Sequence, residues 1–114
     1  MGLKARQLAN RRRTFAPIFA ALGDETRLAL IDRLSRGEPQ SISELAEGSP
    51  ISRQAITKHL KVLEEAGLVE SNRAGRESRF ALTPTPLGEA RDYLDFVSSE
   101  WDQALARLKA FLDE

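Results

Sequence analysis

The chain has no cysteine among its 114 residues and one histidine, His59. The first absence excludes disulfides and thiolate metal sites, and it is compatible with a reducing cytoplasm. No apolar run approaches the roughly 18 residues that would suggest a membrane span. The basic N-terminus has no apolar stretch behind it of the kind a secretion signal carries. Glycine-rich phosphate loops are missing too, and the clustered acids Asp92, Asp95 and Asp102 have no base, metal-ligand set or nucleophile beside them. These absences argue against an enzyme. They leave a cytoplasmic protein with no cofactor and no metal site, of a length that suits one domain.

Net charge is absent as well, 17 Lys and Arg balancing 17 Asp and Glu. The balance is not local. Residues 1–23 carry five basic and no acidic side chains, residues 50–82 six basic against four acidic, and residues 83–114 three basic against seven acidic. A neutral chain with this distribution can still present a basic face.

Glycine and proline divide the rest into elements. A helix is expected over residues 3–22, bent or split near Pro17. Asp24 is placed to cap a second helix, with Leu28, Ile31 and Leu34 as its inner stripe and Gly37 as its stop. Ser41 or Ser43 can cap the short "SISELAEG" helix, and Ser52 caps a longer one that ends before Gly67. "LVESNR" and "ESRFAL" flank Gly75 as a β-hairpin, and a long last helix is expected from Pro86 to Leu112. The fold class is mainly α with a small β-hairpin: a winged helix-turn-helix (residues 23–83) between N-terminal (1–22) and C-terminal (84–114) helices.

The helix after Ser52 separates cleanly by face. At about 100° per residue, Arg53, Gln54, Thr57, Lys58 and Lys61 share one arc, and Ile56, His59, Leu60, Val62 and Leu63 the other. A recognition helix puts its N-terminal half into the major groove, where Arg and Lys address guanine and Gln addresses adenine. The DNA-contact candidates are Ser52, Arg53, Gln54, Thr57, Lys58 and Lys61, with Arg73, Arg76 and Arg79 on the wing. Two readings stand for His59, a packed histidine bonded to a neighbouring element and a phosphate contact. Arg11, Arg12 and Arg13 read equally as a solvated surface or as a backbone contact.

Along the last helix, Leu87, Ala90, Leu94, Val97, Trp101, Ala104, Leu108 and Phe111 follow one another at steps of three and four, an a/d stripe. Tyr93, Phe96, Leu105 and Leu112 lie beside it. That surface is too broad for one small core, so a homodimer is expected. Its interface candidates are Phe15, Phe19, Leu87, Leu94, Val97, Trp101, Leu105 and Leu108, with Leu3, Leu8 and Ile18 from the first helix. Two recognition helices about 34 Å apart suit a two-fold operator.

"FAALGDETRLALIDRLSRGE", "SISELAEGSPISRQAITKHLKVLEEAGLVE" and "RAGRESRFALTP" resemble the ArsR-type winged-helix repressors over residues 19–84. The tail "LDFVSSEWDQALARLKAFLDE" is similar to a subgroup often encoded beside START-like (SRPBCC) proteins. The resemblance implies a dimeric repressor of double-stranded DNA, often acting on its own promoter. Metal-sensing members carry a Cys-x-Cys type motif on the short helix or Asp/His ligands on the last one. Here the short helix reads "ISELAEG" and the last has no histidine, so metal regulation is not expected. A small-molecule effector is left open, and a protein-interaction module is the alternative function.

Overall fold

The computed structural model describes residues 2–113, with side chains from residue 6 onward. The side chain of Leu3, expected at an interface, lies outside them. Helix α1 (Gly2–Leu22) runs through Pro17 as one helix, not two. Phe15, Ile18 and Ala21, on either side of that proline, are all buried in the core and hold the two parts in line.

Asp24 caps α2 (Glu25–Ser35), its carboxylate accepting from the Arg27 amide at 3.0 Å. The inner side of α2 differs from the expected stripe. Leu30 and Leu34 are buried, while Leu28 is 50% exposed. Leu28 and Leu34 lie six residues apart, about 240° around the helix, so both cannot face the core equally.

Gln40 and Ser41 form a two-residue strand, β1, before α3 (Ile42–Ala46). Of the two candidate serines, Ser41 is the cap. Its hydroxyl accepts from the Glu44 amide at 3.1 Å, and the Glu44 carboxylate accepts from the Ser41 amide at 3.0 Å, a reciprocal capping box. The turn at Gly48 (φ 71°) leads to Ser52, whose hydroxyl caps α4 (Arg53–Glu65) through the Ala55 amide at 3.1 Å.

Strands β2 (Val69–Ala74) and β3 (Glu77–Leu82) form the expected hairpin, closed by Gly75 and Arg76. Gly75 has φ 67° and Arg76 is not left-handed, which fits a type II′ turn with glycine first. β3 is central, pairing with β2 on one side and with β1 on the other, where Ser41 meets Arg79 and Gln40 meets Phe80. Helix α5 (Pro84–Leu112) begins two residues earlier than expected, because proline in the first turn removes an N–H that has no helical partner anyway.

The core gathers Leu30, Leu34, Leu45, Ile56, Leu60 and Leu63 from the central helices. Leu68, Val69 and Phe80 seal it from the sheet, and Phe15, Ile18 and Ala90 from α1 and α5. α1 and α5 pack through Phe15 stacked on Tyr93, ring centroids 5.1 Å apart. Beyond Val97 every described residue of α5 is exposed, and the molecule measures 66 × 31 × 22 Å.

Candidate nucleic-acid interface

Arg53, Gln54, Thr57, Lys58 and Lys61 are all exposed on one side of α4, and Ile56, Leu60 and Leu63 on the other are buried. The amphipathic pattern therefore orients the helix. Val62, assigned to the apolar side, is instead partly exposed at its rim. Thr57 turns its hydroxyl onto the Arg53 carbonyl at 2.8 Å. Ser52 uses its oxygen as the helix cap, so its own hydroxyl hydrogen is what it can offer outward.

On the wing, Arg73 faces Ser78 in register, Arg76 sits in the turn and Arg79 lies in the central strand. All three are exposed. Among the described residues Arg53, Lys58, Lys61, Arg73 and Arg76 have no carboxylate within ion-pair distance, whereas Arg79 has Glu77 at 3.7 Å. Five exposed cations without internal partners and an amide make a face of donors. Arg79 contributes least to it.

Three features that hold this face in place leave little trace in the sequence. Arg33 of α2 donates to the Leu45 carbonyl at 2.7 Å and the Glu44 carbonyl at 3.1 Å, so it binds the open end of α3. Arg27 donates from Nε to the Ala21 carbonyl at 2.6 Å and lies 3.3 Å from His59 Nδ1. Ser71 donates to Glu64 at 2.8 Å, joining the wing to the last turn of α4. These are bonds from one side chain to a distant element, which no periodicity announces.

His59 accordingly has the packed, hydrogen-bonded position, with Asp24 also 3.8 Å from its Nδ1. The Arg27 amide beside Asp24 holds that carboxyl below its ordinary value. The Ser41 amide and hydroxyl do the same for Glu44. Arg11 lies over the rings of Phe96 (5.3 Å) and Tyr93 (5.8 Å), while Arg12 and Arg13 are exposed on α1.

Among the interface candidates, Phe15 is taken up by the chain's own core, where its ring stacks on Tyr93. Phe19 and Leu87 pack partly against the same core, and Val97 is half-buried. Leu94, Trp101, Leu105 and Leu108 are exposed. Among the described residues no three His, Asp or Glu side chains converge as a metal site, and no helix is long and apolar enough to cross a membrane.

Two helices joined by a glycine turn, the second presenting donors, followed by a hairpin with arginines at its tip, define a winged helix-turn-helix protein. A helix-turn-helix domain family model matches residues 22–72. The chain is 41% identical over 93 residues to the HTH-type transcriptional regulator Rv2034 of Mycobacterium tuberculosis, covering 82% of this chain and 83% of that one. It is 29% identical over 82 residues to the transcriptional repressor SdpR of Bacillus subtilis, covering 71% of this chain and 90% of the relative. Its fold matches the structure of an ArsR-like transcriptional regulator from Rhodococcus sp. RHA1 with a TM-score of 0.78 and 42% identity, over 90% of this chain and 95% of the other. The chain belongs to the ArsR family of winged helix-turn-helix transcriptional regulators. Its relatives are regulators, not enzymes.

Proposed function

We propose that the chain is a homodimeric, sequence-specific repressor of double-stranded DNA, acting in the cytoplasm and without a metal. The observation that carries this reading is the exposed face of α4, where Arg53, Gln54, Thr57, Lys58 and Lys61 stand with no internal carboxylate partners. In the major groove the first turns of α4 read base edges, while Arg73 and Arg76 reach flanking phosphates from the wing. Repression in particular is supported by the similarity to SdpR, which bears the name of repressor.

The dimer rests on α5. Leu94, Trp101, Leu105, Leu108, Phe111 and Leu112 are between half and three-quarters exposed. Covering a large apolar side chain is worth about 1.5–3 kcal/mol. Six from each of two chains, even half covered, give a gain of the same order as the roughly 4–15 kcal/mol that association costs. Metal independence rests on the absence of cysteine and the lone histidine, which is already bonded to Arg27.

The test is a fluorescence-anisotropy titration on the duplex upstream of the chain's own coding sequence, against a random duplex, at several salt concentrations. The expected result is tighter binding to the upstream duplex with two chains per site, and affinity falling with salt at a log–log slope of about −0.9 per phosphate neutralised. Weak binding to both duplexes with no salt dependence would overturn it and favour a winged helix that binds protein.

A further inference from the structure

Arg27 does more than close the start of α2. α1 ends at Leu22 with the carbonyls of its last turn pointing out. The Arg27 guanidinium takes two of them, Ala21 through Nε at 2.6 Å and Ala20 through Nη2 at 3.5 Å. Its third edge, Nη1, meets His59 Nδ1 at 3.3 Å, and its own amide is fixed on Asp24. A single planar cation therefore bonds the end of α1 to the middle of α4. In the sequence His59 stands between Lys58 of the donor face and Leu60 of the core. Because guanidinium nitrogens only donate, His59 Nδ1 is the acceptor in this contact.

The packing around this bridge gives it leverage. Pro17, Ala20 and Ala21 of α1 face Val62 and Glu65 of α4, and Ala66 just past its end, across an open cleft of about 420 Å³, with Arg27 also on its wall. The buried Ile56, Leu60 and Leu63 fix the inner side of α4. Close packing does not fill this part of the α1–α4 contact, however, so here the directional bonds of Arg27 add to what holds the two helices together. Close-packed apolar contacts resist tilt by themselves; a cleft does not.

α1 is in turn packed on α5, the proposed pairing helix, through Phe15 and Tyr93. We infer that Arg27 and His59 are positioning residues that set the angle of the recognition helix relative to α1, and through it the separation of the two recognition helices in the dimer. The inference rests on the proposed dimer and its DNA reading. The base contacts of each half-site belong to α4 alone. The spacing between half-sites belongs to the bridge.

The experiment is a selection of bound duplexes from a randomised pool by the full chain, wild type against Arg27→Gln, His59→Leu and His59→Gln, with thermal unfolding of each as the check on folding. Wild type is expected to enrich inverted repeats of one spacing, binding that spacing about tenfold tighter than one shifted by about two base pairs, a shift that turns a half-site through about 70° around the DNA axis. Arg27→Gln and His59→Leu are expected to enrich the same half-site sequence over a spread of spacings, with the preference reduced to about threefold or less. His59→Gln, whose amide oxygen can accept from Arg27, is expected to restore the single spacing. If Arg27→Gln does not fold, His59→Leu carries the test, since it leaves the bonds from Arg27 to α1 intact. Unchanged spacing in a folded His59→Leu overturns the inference, and so does loss of the half-site sequence itself. No inverted repeat in the wild-type pool overturns instead the reading of the chain as a dimeric DNA-binding protein.

Discussion

Gln54 and Lys61 stand two turns apart and about 20° apart on the exposed face of α4, yet in the proposed DNA reading their chemistry divides the work. An amide can pair both edges of adenine, whereas an ammonium is a point charge that suits any phosphate. Gln54→Ala is therefore expected to relax base preference at one position, with a loss of about 1–3 kcal/mol on the preferred site and little on random DNA. Lys61→Ala is expected to weaken all sequences alike. Parallel titrations on specific and random duplexes separate the two, and equal losses for both variants on both duplexes would refute the division. Ser52→Ala removes the cap of the same helix and is expected to lower stability by about 1 kcal/mol in urea unfolding without DNA. Asp24 and Glu44, held below their ordinary values by helix-start amides, give an acid dependence of known sign. Each binds fewer protons folded than unfolded, so its contribution is full at neutral pH and shrinks as pH falls through and below the ordinary carboxylate range. The loss of melting temperature between pH about 7 and about 3.5 is expected to be smaller in an Asp24→Asn, Glu44→Gln variant than in the wild type.

At the scale of elements, what could be read in the sequence was what repeats. α4 alternates burial with the period of a helix, so Ile56, Leu60 and Leu63 and the opposite donor face were all legible. Both ends of that helix carry local signals, Ser52 before it and Gly67 (φ 79°) after it. β1 was not legible, because two residues have no period and their strand character comes only from pairing with Phe80 and Arg79. The place of Leu28 was misjudged for a related reason: Leu30 and Leu34 form the buried pair at a four-residue step, and Leu28 is apolar but faces away. Arg27 and Arg33 were equally hidden, since an arginine bonded to carbonyls of another helix looks like any surface arginine. The wing lies between these cases. Its turn was readable from Gly75, while the unequal freedom of its arginines was not. Substituting Arg73 and Arg76 together by alanine is expected to reduce the salt slope of DNA binding by about 1.8, at about 0.9 per lost phosphate contact. Arg79→Ala is expected to change it less, because Glu77 already lies beside that guanidinium.

The whole molecule is longer than a compact chain of its size. Its radius of gyration is 18.7 Å, against about 13 Å for a compact domain of this length. The excess comes with the exposed half of α5 beyond Val97, where Trp101, at 66% exposure, and Leu108 look outward. Trp101→Arg with Leu108→Arg is expected to sediment as one chain where the wild type sediments as two. It should unfold cooperatively, because neither side chain belongs to the core. The proposed pairing surface on α5 and the donor face on α4 lie on different elements, so in the proposed dimer each chain brings one reading helix and pairing supplies the second. When chains are scarce, the number of pairs follows the square of the number of chains. Halving synthesis then leaves about a quarter of the pairs, and a promoter silenced by pairs reopens over a narrow fall in supply.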